Sequence, residues 1–145
     1  MTDIFSKSKR SDIMSKISGR ETKPEILVRK FLFTNGFRYR KNVKDLSGKP
    51  DIVLPKYKTT IFIHGCFWHG HTCKSGKLPE TNHEFWQEKI GKNIERDIRN
   101  ISELKESGWN VIIVWQCEIK NNNDRNIRLN KLVEEIKANQ NRFAL

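Results

Sequence analysis

The sequence predicts an α/β fold, with a mixed sheet flanked by helices. Three observations carry that expectation. Two apolar, β-branched runs read as buried strands, Thr59-Thr60-Ile61-Phe62-Ile63 and Val111-Ile112-Ile113-Val114-Trp115. Between them lies a long stretch with apolar residues mostly three or four apart, the signature of an amphipathic helix. At the exit of the first strand stands His64-Gly65-Cys66-Phe67-Trp68-His69-Gly70-His71-Thr72-Cys73, holding three of the four histidines and two of the three cysteines. Strand exits are where α/β folds place their chemistry.

Residues 1–20 are polar and carry Lys7, Lys9, Arg10, Lys16 and Arg20. Ile13, Met14 and Ile17 mark one apolar edge. The segment reads either as a frayed terminus or as an arm that lays cations on phosphates and offers Met14 and Ile17 as apolar wedges. Residues 21–145 then form a single domain, as the length of the chain suggests. Thr22-Lys23-Pro24-Glu25 opens a helix to about Asn35. Thr22 is the expected N-cap, Glu25 closes a capping box, and Gly36 ends the helix. The capping role alone would account for Glu25.

Phe37-Arg38-Tyr39-Arg40 alternates as a strand does. Leu46-Ser47-Gly48-Lys49 is a turn, and Pro50-Asp51-Ile52-Val53-Leu54-Pro55 a short strand bounded by prolines. A hairpin across Lys56-Tyr57-Lys58 would set Asp51 beside the 59–63 strand. There its carboxylate could cap a turn, or offer Mg²⁺ a hard oxygen ligand on a rigid element. Residues 74–82 form a loop. The helix from about Asn82 to Glu106 uses Phe85, Ile90, Ile94, Ile98, Ile101 and Leu104 as its apolar stripe. Asp97 falls within or beside that stripe, so it needs a histidine or a basic partner. Residues 111–115, the most apolar strand, are expected to be central and buried on both faces. Asn121-Asn122-Asn123 is a turn, and Ile127, Leu132, Val133 and Ile136 give a closing helix.

Composition bounds the function. Lys and Arg outnumber Asp and Glu 28 to 17, a formal charge of +11 that points to a polyanion, nucleic acid first. No window approaches the roughly 18 apolar residues of a membrane span, and no basic helix carries the aromatic apolar face of a membrane-surface segment. The N-terminus is too polar for a signal peptide. Three cysteines make a poor disulfide framework and suggest a reducing, intracellular setting. Cys66, Cys73 and Cys117 all lie at or just beyond strand exits. If the two strands are neighbours, these thiols and one imidazole make a structural zinc set. Spacing leaves His64, His69 and His71 open as the imidazole; His71, which shares the loop of Cys73, is the first choice.

Taken together, the Pro50-Asp51 strand, the 62–73 run, Phe85-Trp86 followed by Glu88-Lys89-Ile90-Gly91-Lys92-Asn93, Glu95-Arg96-Asp97 and Val114-Trp115-x-Cys117 resemble the very short patch repair (Vsr) DNA mismatch endonucleases. The resemblance spans roughly residues 8–120. It implies a restriction-endonuclease-like core with a structural zinc, and Mg²⁺-dependent nicking of one strand of duplex DNA at a T:G mismatch left by deamination of 5-methylcytosine. It implies that Asp51 and the Ile63 backbone carbonyl bind Mg²⁺, that His69 is the general base oriented by Asp97, and that Glu25 and His64 complete the site. Cys66, His71, Cys73 and Cys117 would hold Zn²⁺. Phe67, Trp68 and Trp86 would wedge into the major-groove side, while the arm, with Arg10, Met14, Lys16 and Ile17, reaches the minor groove. The implied setting is the bacterial cytoplasm at the nucleoid, with the protein a monomer and downstream repair proteins as possible partners. The wider nuclease superfamily has an acid-x-lysine pair on its second strand. Here those places hold Phe62 and His64, so base chemistry by histidine is the substitute. Two other readings remain: a sequence-specific endonuclease on the same core cutting unmismatched duplex, and a non-catalytic zinc-stabilised DNA-binding module. The second would need none of Asp51, His69 and Asp97.

Overall fold

The structure is a computed structural model that describes residues 23–41 and 43–143. Thr22 and the arm residues Arg10, Met14, Lys16 and Ile17 lie outside them. In chain order the elements are α1 (Lys23–Thr34), β1 (Arg40–Lys41), β2 (Ile52–Leu54), β3 (Thr59–His64), α2 (His83–Glu106), β4 (Asn110–Trp115) and α3 (Asn122–Phe143). Short 3-10 turns at Pro55–Tyr57, Lys74–Gly76 and Gln116–Ile119 complete the chain.

The four strands form one mixed sheet in the order β1-β2-β3-β4. β2 and β3 form the expected antiparallel hairpin, pairing Ile52 with Ile61 and Leu54 with Thr59. Its turn closes where the Lys58 N–H donates to the Pro55 carbonyl at 3.1 Å. β4 runs parallel to β3, with Thr59 opposite Asn110 and His64 opposite Trp115. A parallel pair needs a crossover, and α2 supplies it. The sheet alternates its faces. Ile52, Leu54, Ile61, Ile63, Ile112 and Val114 share a core with Val28 and Leu32 of α1 and Leu129, Leu132 and Ile136 of α3. The other face, with Val53, Phe62 and His64, lies toward α2, whose Ile90 and Leu104 are buried.

Several expectations need correction. β4 is an edge strand among the described residues, and only Ile112 and Val114 are fully buried along it. The central strand is β3, buried at all six positions because it has a partner on each side. The strand expected over 37–40 is reduced to Arg40–Lys41: Phe37 is buried in the core, but the ladder starts at Arg40. In α2 the apolar stripe is narrower than expected, since Phe85 and Ile98 are 59% and 63% exposed. At 100° per residue Phe85 points roughly 140° away from Ile90, and Ile98 about 120° away from Leu104. Apolar character placed both residues in the stripe; geometry takes them out. The 121–123 turn is instead the start of α3. Asn121 acts as its N-cap, with Oδ1 accepting the Asp124 N–H at 2.9 Å. On α3 Ile127 is 69% exposed, and Leu129 takes its place in the core.

Candidate active site and metal centre

After β3 the chain winds through tight turns. The His69 N–H donates to the Gly65 carbonyl at 3.2 Å and the His71 N–H to the Cys66 carbonyl at 2.9 Å. These turns send Cys66 and His71 to one side and His69 to the other. Gly70, at φ +67°, sits against α2: a Cβ there would lie 2.4 Å from Ile94 Cδ1. Gly76 is more restrictive, because a Cβ would fall 1.9 Å from the His71 carbonyl oxygen. That close approach folds Cys73 back toward Cys66.

Cys66, His71, Cys73 and Cys117 come together, their ligand atoms all within 4.8 Å of one another. Cys117 Sγ is 3.4 Å from His71 Nδ1. Cys117 arrives on the turn after β4, and the parallel β3–β4 register brings that turn beside Cys66. A tetrahedron with ~2.3 Å Zn–S bonds has edges of roughly 3.8 Å, so the four side chains need close only slightly to hold the ion. Charge points the same way. Burial, with the neighbouring Cys66 and Cys73 thiols, pushes Cys117 up to about 12. At Cys73 partial burial raises the pKa, but hydrogen bonds with His71 and Cys66 outweigh it and draw the thiol down to about 6. Cys117 thus resists ionising beside its neighbouring thiols, and a divalent cation at this site would relieve that repulsion.

Glu25, Asp51, His64, His69 and Asp97 all line one cleft of about 510 Å³, on the α2 side of the sheet. His69 Nδ1 and Asp97 Oδ2 are 2.6 Å apart. Asp97 thus has the histidine partner that its place on α2 demanded. His64, at the end of β3 and 5% exposed, stacks flat on His69 with ring centroids 3.8 Å apart. Burial, reinforced by the charge of His69 and opposed by that of Asp97, lowers the His64 pKa to about 4. His64 is therefore a neutral ring at neutral pH. Asp51 Oδ2 accepts the Ile63 N–H at 2.7 Å. Burial raises the Asp51 pKa above the ordinary carboxylate value, while the Ile63 hydrogen bond, the charges of Arg29 and His69 and a hydrogen bond with Glu25 pull it down. A desolvated carboxylate beside a second one is a setting that a hard cation stabilises.

Next to this cleft the aromatics cluster. Phe67 lies 5.1 Å from Trp68 and 5.3 Å from Trp86 between ring centroids, and Trp68 lies 5.9 Å from Trp86. Trp68 is half exposed, and neither Phe67 nor Trp86 is fully buried. Asn93 of α2 steadies the loop, its Nδ2 donating to the Trp68 carbonyl at 2.9 Å.

Residues 2–75 match the family described as DNA mismatch endonuclease Vsr. The chain is 64% identical over 137 residues to the type II nicking enzyme V.NmeAIP of Neisseria meningitidis serogroup A, covering 94% of this chain and 98% of that one. It is 47% identical over 120 residues to the DNA mismatch endonuclease Vsr of Escherichia coli K12, covering 83% and 77%. To the type II nicking enzyme V.XorIIP of Xanthomonas oryzae it is 41% identical over 134 residues, covering 92% and 98%. The chain belongs to the Vsr family.

In this Vsr-family chain several residues around the site escape a reading of the sequence. Arg29, 4% exposed, stands 3.9 Å from Glu25 and acts on the charge of Asp51. Its signal is weak: an arginine four residues after Glu25 between the buried Val28 and Leu32. Phe85 belongs to the exposed aromatic group, 5.1 Å from Trp86, instead of to the helix core. Lys49, Arg96 and Asn100 line the cleft, from the turn before Pro50 and from α2. Only the pairing of that turn with the helix, where Ser47 Oγ donates to Glu103 Oε2 at 2.7 Å, brings them there. Among the described residues no helix is long and apolar enough to cross a membrane.

Proposed function

We propose that this protein is a Mg²⁺-dependent endonuclease that nicks one strand of duplex DNA at a T:G mismatch, the product of 5-methylcytosine deamination. One observation carries the reading: in a Vsr-family chain, a 2.6 Å His69–Asp97 pair and Asp51 face the same cleft beside an exposed aromatic cluster. The names of the relatives, mismatch endonuclease and nicking enzyme, support it. We read the core as restriction-endonuclease-like, with the arm of residues 1–20 contributing minor-groove contacts.

Asp51, with the Ile63 carbonyl, would hold Mg²⁺. The ion would supply Lewis-acid stabilisation of charge on the phosphoryl oxygens. His69 takes a proton from the attacking water at Nε2. Its Nδ1–H donates to Asp97, which leaves Nε2 free to accept and stabilises the imidazolium that forms. His64 presents a neutral, buried wall against the His69 ring. Glu25, beside Asp51 and Arg29, would orient water near the phosphate. Cys66, His71, Cys73 and Cys117 would hold Zn²⁺ in a closed structural site that fixes the loop. Phe67, Trp68 and Trp86 stack against bases at the mismatch. Separating stacked bases costs a few kcal/mol, and less where pairing is already weakened, so the wedge itself contributes selectivity.

The test is nicking of strand-labelled duplexes that differ only in T:G against C:G, with Mg²⁺ or with chelator. The reading expects one cut strand, in the T:G duplex, with Mg²⁺ only. Equal cutting of both duplexes would favour the sequence-specific endonuclease. Binding without cutting would leave the zinc-stabilised binding module.

A further inference from the structure

β4 ends on Trp115, opposite His64 at the end of β3. Their rings meet edge to face, with centroids 5.1 Å apart at 74°. Trp115 also stacks on His71, 4.1 Å away at 13°. His64 in turn lies flat on His69, 3.8 Å away at 3°. A continuous run of rings thus joins His71, in the cysteine-rich cluster, to His69, which faces the cleft. Trp115 is the member shared by the two clusters.

A histidine ring is ordinarily fixed by a hydrogen bond to its second nitrogen. The buried Nδ1 of His64 has no such partner among the described residues. Ring packing against Phe62, Trp115 and His69 is what sets the plane of His64. His69 depends on that plane. Its hydrogen bond to Asp97 fixes one atom, about which the ring can still rock, and the flat stack on His64 removes that freedom.

Trp115 is itself anchored by the Gln116–Ile119 turn, which α3 braces. Glu118 Oε1 accepts the Trp115 backbone N–H at 2.7 Å. Glu118 Oε2 lies 3.4 Å from Arg128 Nε, and Arg128 also pairs with Glu135 at 2.8 Å and donates to the Ile113 carbonyl at 3.1 Å. The end of β4 is therefore braced from the far side of the sheet.

We propose that Trp115 is a positioning residue that sets the planes of His64 and His69 and ties them to the Cys66–His71–Cys73–Cys117 cluster. The proposal rests on the nicking reading above. It assigns α3 a part in the site through Glu118 and Arg128.

The experiment compares Trp115→Leu, which keeps apolar bulk but removes the flat ring, with Trp115→Phe, which keeps a ring. Full-length, zinc-loaded proteins are assayed for single-turnover nicking of a T:G duplex, DNA affinity, zinc content, and the carbon–proton spectra of labelled histidine rings. Trp115→Leu should lower the saturated rate on the order of 10- to 100-fold, the effect of misplacing a reacting group by about an ångström. Its affinity for DNA and zinc content should stay near wild type, and the His69 ring resonances should move. Trp115→Phe should recover most of the rate and the His69 signal. If Trp115→Leu fails to fold, Trp115→Met serves in its place. Equal loss in the Leu and Phe variants, a rate that falls only in step with zinc content, or unmoved His69 resonances would overturn the proposal. A wild-type protein that does not nick would defeat the functional reading, while the histidine spectra would still decide the ring coupling.

Discussion

Replacing Asp97 by asparagine keeps the shape of the side chain and removes its charge. The bond at stake is short, 2.6 Å between His69 Nδ1 and Asp97 Oδ2, with the two side chains 24% and 17% exposed. Partial burial sets this pair apart from surface ion pairs, whose contribution is small. A hydrogen bond to a charged group contributes about 1.5–3 kcal/mol net. At 1.36 kcal/mol per decade, that corresponds to about 10- to 150-fold in rate. A second effect adds to it. The asparagine amide can donate to Nδ1, which moves the proton to Nε2 and leaves His69 in the wrong tautomer for a base; in a serine protease the same exchange costs about 10⁴. The expected loss for Asp97→Asn is therefore about 10²- to 10⁴-fold in single-turnover nicking of a T:G duplex at saturating protein. DNA affinity and zinc content should be unchanged, because Asp97 touches neither the aromatic cluster nor the thiols. A rate within about threefold of wild type would refute the reasoning. It would mean that His69 needs no carboxylate, and would move attention to His64 as the base.

Four further outcomes follow from the same geometry. Asp51→Ala should abolish Mg²⁺-dependent nicking while DNA binding, measured by gel shift, stays intact, since the net charge of +11 is barely altered. Cys117→Ser should remove the zinc and loosen the 66–76 loop, visible as zero metal by elemental analysis and a lower melting temperature; a wild type that is folded and zinc-free would count against the site. Gly76→Ala should lower zinc affinity although no ligand is touched, because a methyl group 1.9 Å from the His71 carbonyl forces the loop apart; titration with a zinc chelator reads the change. Trp68→Ala, which removes a half-exposed ring, should cut discrimination between T:G and C:G duplexes by roughly 5- to 150-fold, from ~1–3 kcal/mol of stacking per base. Its melting temperature should hold; a large loss of stability with discrimination preserved would show the ring to be core.

The sequence by itself determined what depends on neighbours along the chain. The helix over 83–106, the β2–β3 hairpin and the placing of the His/Cys run at a strand exit follow from periodicity, turn residues and β-branching, all local effects. It also showed that Asp97 had to find a partner, because spacing alone put a carboxylate among the apolar residues of α2. Spacing alone did not show which partner; only the family resemblance named His69, which lies 28 residues away and meets Asp97 once α2 has crossed back over the sheet. Strand order was beyond it for the same reason. β3 and β4 are both apolar runs, and which one is central depends on where β2 pairs. The apolar residues of α2 and α3 were legible as a class, but whether Phe85, Ile98 and Ile127 are covered depends on the angle at which each helix meets its neighbours. That Cys117 meets Cys66 was expected only on the condition that β3 and β4 are neighbours, which the parallel register meets, and tertiary structure alone set Trp115 between His64 and His71. Contacts between residues distant in sequence are made by packing, and a pattern read along one chain carries no coordinate for them.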